Sequence, residues 1–100
     1  PSVARAVRRA ARVDANQREI VRAFERLGFS VVDTSAVGKG FTDLVVGRAD
    51  RTWLVEVKSK VGTLTPEQIK FRREWRGNYV LVRDVNDVVS LLARAGTGRT

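Results

Sequence analysis

Three side chains near the middle of this sequence, Asp43, Glu56 and Lys58, have the types and spacing to do chemistry. The chain contains no cysteine and no histidine. Disulfides, thiolate zinc sites, histidine triads and imidazole acid–base chemistry are therefore excluded. Catalysis would have to use carboxylates, lysine, hydroxyls and bound metal ions. Two converging carboxylates can hold a hard divalent ion, and Mg²⁺ suits oxygen ligands while keeping several waters. Such an ion polarises a phosphate oxygen and lowers the pKa of a bound water. An ammonium beside it can position that water or stabilise developing negative charge. The competing reading is structural: Lys58 neutralises Asp43 and Glu56 in a satisfied ion pair. The chain uses fifteen arginines and only four lysines, so a lysine beside this acid pair favours chemistry.

The elements must bring these residues together. Phe41 to Gly47 and Thr52 to Lys58 are rich in β-branched and aromatic residues and predict two strands. The polar turn Arg48-Ala49-Asp50-Arg51 joins them as an antiparallel hairpin. A symmetric turn about Ala49 and Asp50 pairs Gly47 with Thr52, Val45 with Leu54, and Asp43 with Glu56. Opposed residues have Cβ atoms about 4.5–5.5 Å apart, so two acids there repel and need a cation between them. Lys58 projects from the same face as Glu56. Leu44, Val46, Trp53, Val55 and Val57 make the other face apolar.

The flanking sequence supplies the remaining elements. A helix starts near Asp14 or Asn16, with Ile20, Val21, Phe24 and Leu27 at helical spacing and Gly28 as its stop. Phe29 to Asp33 predicts a strand, and Thr34–Gly40 a loop. Thr65-Pro66 opens a second helix, whose apolar positions are Ile69, Phe71 and Trp75, and Gly77 ends it. Tyr79 to Val82 is a fourth strand and Asp84 to Ala93 a last short helix. Trp53, Trp75, Phe71 and Phe24 read as core. The order α-β-β-β-α-β-α implies an α/β domain, a mixed four-stranded sheet flanked by helices. Its expected span is 14–94, after a basic arm over 1–13 and before a loose Gly/Thr-rich tail over 95–100.

The net charge is +8, with nineteen of thirty charged residues cationic. That balance favours a polyanionic partner, nucleic acid before a membrane surface. No apolar run has the length of a spanning helix. The arm carries Arg5, Arg8, Arg9 and Arg12 and no acid, which suits contact with phosphates.

At this point the residues carry a resemblance. Gly40-Phe41-Thr42-Asp43-Leu44 followed by Glu56-Val57-Lys58 resembles the PD-(D/E)xK nuclease signature, with Thr42 where the name has proline. The element order resembles that superfamily's restriction-endonuclease-like αβββαβ core, and in particular the stand-alone VRR-NUC nucleases and the archaeal and phage Holliday-junction resolvases. The resemblance spans about Asp14 to Val88. It implies that Asp43, Glu56, the backbone carbonyl of Val57 and an acid on the first helix, where Glu19 stands, hold Mg²⁺ or Mn²⁺. It also implies catalytic roles for Asp43, Glu56 and Lys58, joined by Gln68 in Leu64-Thr65-Pro66-Glu67-Gln68. Cytoplasmic location in a bacterial, archaeal or phage-infected cell, and work in DNA recombination or repair, follow from the same likeness.

Two of these residues have alternatives. With Asn16 as N-cap, Glu19 is the partner in a capping box, and with Thr65 as cap, so is Gln68. Lys39 and Ser35, in the loop before the acid strand, either approach the scissile region or face solvent. Lys60, Lys70, Arg72, Arg73 and Arg76 form a basic run suited to phosphates. The expected activity is a structure-selective DNA endonuclease, acting on four-way junctions as a homodimer. Tyr79–Val82, or the last helix with Val88, Val89, Leu91 and Leu92, offers apolar surface for the dimer. The alternatives are a flap, nicking or restriction-type nuclease, and a non-catalytic DNA-binding module on the same fold.

Overall fold

A computed structural model describes residues 15–97. The arginines of the expected arm, Arg5, Arg8, Arg9 and Arg12, lie outside the described residues. Helix α1 occupies 15–26. It ends as its glycine dictates: Gly28 adopts φ +90°, a conformation that suits a residue without Cβ, and Phe29 N–H returns to Phe24 C=O at 3.0 Å. Strands β1 (Ser30–Asp33), β2 (Leu44–Arg48) and β3 (Arg51–Val57) follow, then helix α2 (Pro66–Glu74), strand β4 (Tyr79–Val82) and helix α3 (Val85–Thr97).

The four strands form one mixed sheet in the order β1-β2-β3-β4. β1–β2 and β2–β3 are antiparallel, and β3–β4 is parallel because α2 carries the chain across. The hairpin turn is two residues, Ala49 and Asp50, at φ +55° and +63°. That left-handed pair gives the twist a tight hairpin needs. It sets the expected register, Gly47 against Thr52 and Val45 against Leu54.

One sheet face and two helices make the core. Leu44, Val46, Trp53 and Val55 pack with Ile20 and Phe24 of α1 and with Val88, Leu91 and Ala95 of α3. Asp84 Oδ1 accepts from Asp87 N–H at 3.0 Å and starts α3. Two expectations about α3 change here. It runs on to Thr97 with Ala95 fully buried, so residues 95–97 belong to the domain and not to a loose tail. Val88 and Leu91 are fully buried, so they give a dimer no surface; Val89 is the exposed one, at 50%.

The other face carries α2, which buries none of its residues. Ile69 and Trp75 remain 47% and 43% exposed. Phe71 stacks on Trp75 at 5.7 Å and meets Phe41 edge-on at 5.4 Å. Phe71 and Trp75 are thus a satellite stack and not core, because α2 sits at the end of the sheet where Glu56, not an apolar residue, faces it.

Candidate active site

Asp43 sits one residue before β2, in a segment fixed by side chains. Thr34 Oγ1 donates to Thr42 C=O and Thr34 N–H to Asp43 C=O, both at 2.8 Å. Thr42 is fully buried, and its hydroxyl donates to Leu44 C=O at 3.2 Å, across Asp43. Where a proline would restrict the backbone covalently, Thr42 restrains it with a hydrogen bond. The carboxylate that results is aimed at β3, and Asp43 Oδ2 accepts from Val57 N–H at 2.9 Å.

Glu56 points from β3 to the α2 face and is 1% exposed. Its Oε2 accepts from Gln68 Nε2 at 3.1 Å and lies 3.8 Å from Lys58 Nζ. Its Oε1 is buried with no hydrogen-bond donor. Burial first, then a side-chain hydrogen bond to Asp43 and the Asp43 charge, raise the Glu56 pKa to about 8 against partial opposition from Lys58. Lys58, 3.8 Å from Glu56, therefore does not suffice to keep both carboxylates ionised. A purely structural salt bridge would leave no buried oxygen without a partner.

Gln68 resolves its two readings by doing both. Its backbone N–H donates to Thr65 Oγ1 at 3.2 Å and its Oε1 accepts from Thr65 N–H at 2.9 Å, the complete capping box of α2. Its remaining side-chain nitrogen is the one on Glu56. The cap thus fixes the amide, and the amide fixes the acid. The loop before Asp43 is held against the same turn. Gly40 has φ +80°, and a Cβ there would stand 2.6 Å from Glu67 O.

The donor set fits a divalent cation: two neighbouring carboxylates, one with a buried oxygen that no N–H or O–H reaches. Glu19 is not gathered with them. It is exposed on α1, and among the described residues no three acids form a cluster that could hold a metal. Its capping alternative also fails, because residues 15 and 16 are already helical. Asn16 instead sends its amide to Lys58 C=O and Arg83 C=O, at 3.5 and 3.4 Å.

The other candidates divide by position. Ser35 bonds Asp33 through Oγ at 2.6 Å and N–H at 2.9 Å, which lowers the Asp33 pKa. It lines a groove of about 540 Å³ between α1 and β1 that neither Asp43 nor Glu56 borders. Lys39 is exposed at φ +57° between Gly38 and Gly40. Lys60, Lys70, Arg73 and Arg76 are exposed, and Arg72 lies 5.4 Å over the ring of Tyr79. Tyr79 is a neighbour that sequence reasoning missed. Burial, reinforced by the charges of Glu56 and Asp43 and opposed by Arg72, raises its pKa. Thr34, Thr42 and Arg83 were missed as well. The one available signal was a β-branched hydroxyl residue directly before the acid.

No protein-family model and no curated protein matches the chain. A solved structure described as a VRR_NUC domain does, at 28% identity and a TM-score of 0.68. The match covers 81% of this chain and 94% of that one.

Proposed function

From its likeness to a VRR_NUC domain, we propose that the chain is a nuclease of that kind, a divalent-metal-dependent endonuclease that hydrolyses phosphodiester bonds in branched DNA. The observation that carries this reading is the Glu56 carboxyl, buried against Asp43 with one oxygen lacking any donor. A charge cluster of that kind gains most from a cation of higher charge than Lys58 provides.

Asp43 and Glu56 would hold Mg²⁺ or Mn²⁺, with Val57 C=O as a further candidate ligand. When bound, the ion supplies Lewis acidity toward a phosphate oxygen and lowers the pKa of water. The protein's own residues do the rest. Val57 N–H orients Asp43, and Gln68 orients Glu56. Lys58, with 18% of its side chain exposed, can reach beyond Glu56 to a water or to the charge that builds on phosphorus oxygens. The exposed Lys39, Lys60, Lys70, Arg72 and Arg73, with the arginines of the N-terminal arm, supply backbone contacts, which position DNA without reading its sequence. Contacts of that kind are suited to reading shape, and the four-way junction is the shape we propose.

One centre per chain cuts one strand. Two symmetric cuts in a junction need two centres, so we propose an isologous dimer as the active unit. Cleavage of linear, nicked, flap and four-way DNA in Mg²⁺ tests the reading. Paired cuts in the junction support it, and no cleavage of any substrate overturns it. A single nick by a monomer would leave a flap or nicking nuclease. Glu56→Gln separates enzyme from binding module, since only an enzyme loses activity while it keeps DNA.

A further inference from the structure

Lys58 is where β3 leaves the sheet. Its N–H donates to Val82 C=O at 3.1 Å, and the chain then turns through 59–62, closed by Gly62 N–H on Ser59 C=O at 3.2 Å. Arg83, just past β4, reaches into this turn. Its Nη1 donates to Ser59 C=O at 2.6 Å and Gly62 C=O at 2.7 Å, and comes within 3.4 Å of Lys60 C=O. Arg83 is itself anchored: its N–H donates to Asp87 Oδ2 at 2.8 Å and its C=O accepts from Asn16.

A guanidinium committed to carbonyls in this way is not offered to a phosphate. It fixes the turn instead, since charge-assisted bonds are the strong ones. With the carbonyls gathered on Arg83, the side chains at the tip are left to solvent. Lys60 is exposed, and Val61 is 87% exposed. A lone exposed valine means little on an ordinary surface. This one stands on a pinned turn, next to a lysine and just after Lys58. A cation for the backbone beside a rigid apolar tip is the combination with which proteins pry apart a base step.

We propose that the 59–62 turn is a wedge that recognises open base pairs. Lys60 takes a backbone phosphate near the scissile one, Val61 packs on the base pair exposed at a branch or nick, and Arg83 is the positioning residue that holds the turn rigid. The proposal rests on the nuclease reading and names the substrate feature that this site selects.

The test uses the full chain and DNA carrying 2-aminopurine at a four-way branch, at a nick, or within plain duplex. Binding is measured in the Glu56→Gln background, so that its outcome does not depend on cleavage. Wild-type cleavage in Mg²⁺, run alongside, tests the nuclease reading separately. The expected result is a fluorescence rise at the branch and nick only. Val61→Ser should abolish that rise and reduce the ratio of branched to plain affinity about tenfold, the loss of one apolar contact. Val61→Leu should keep both. Lys60→Gln should make the log–log salt slope shallower by about one. Both positions are exposed, so the variants should melt as the parent does. Arg83→Lys should lower the branched-to-plain ratio although positions 60 and 61 are intact, which a role confined to folding would not do. A Val61→Ser ratio within twofold of the parent's, or no fluorescence change with the parent protein, overturns the wedge.

Discussion

Asp43 and Val57 are joined by a hydrogen bond of 2.9 Å from backbone N–H to carboxylate Oδ2. The bond brings the Asp43 carboxylate to the backbone of β3 beside Glu56, with which it interacts directly. The acid that precedes β2 is thereby tied to the strand end that carries the other two candidate catalytic groups.

Asp43→Ala, Glu56→Ala and Lys58→Ala should each lower cleavage by at least about a hundredfold, in the range of single charge-stabilising groups. DNA binding should hold or strengthen in the two acid variants, because negative charge near phosphate is removed. Cleavage rates and filter binding on the same DNA check this. Undiminished cleavage by Asp43→Ala would remove Asp43 from the site.

The raised Glu56 pKa makes the metal-free protein sensitive to pH. Between the ordinary value of 4.5 and about 8 the folded state keeps a proton that the unfolded chain has lost. Stability therefore falls as pH rises through that window, by up to about 1.4 kcal/mol per pH unit. Melting in EDTA from pH 5 to 8.5 should show the decline in the parent and a flatter profile in Glu56→Gln. Mg²⁺ should oppose the decline, since binding displaces the proton. Parallel profiles for the two proteins would contradict the assignment.

Gln68 carries both a cap and a site contact, and two substitutions separate them. Gln68→Ala keeps its backbone N–H on Thr65 Oγ1 but loses the side-chain half of the capping box and the Glu56 contact, and should cost about 1 kcal/mol of stability as well as activity. Gln68→Glu can still accept from Thr65 N–H but places a third carboxyl against Glu56. It should retain more stability than Gln68→Ala at low pH and lose activity at neutral pH. Thermal melts and cleavage assays across pH read the two effects separately.

Thr42→Val keeps the buried volume and deletes the hydroxyl on Leu44 C=O. It should destabilise by about 1–3 kcal/mol, the range for leaving a buried partner unsatisfied, and should lower kcat more than it raises KM. A stable variant with full activity would show that the backbone before β2 needs no such restraint.

Ca²⁺ should support DNA binding without cleavage, because its looser coordination does not meet the octahedral demand that Mg²⁺ makes. Equal rates in the two ions would argue against a centre shaped for the smaller one.

Much of this was legible in the chain itself. The two-residue period of Leu44–Gly47 and Thr52–Val57 puts Leu44, Val46, Trp53 and Val55 on one face and Glu56 on the other, and the centred turn fixes which residues oppose. Register and the convergence of Asp43 with Glu56 are consequences of local pattern, so the sequence alone determined them. The same holds for the element order and for the chemistry excluded by the absence of histidine and cysteine. Tertiary structure decided what depends on partners far along the chain. Helical spacing marked Phe71 and Trp75 as apolar, but which surface α2 would meet is not in that spacing. The capping box was visible at Thr65 and Gln68, yet only packing of α2 on β3 gave the spare amide nitrogen to Glu56. Arg83 carries no local signal, because its three acceptors lie more than twenty residues earlier. Periodicity reports which way a side chain faces along its own element, and the fold alone determines what it finds there.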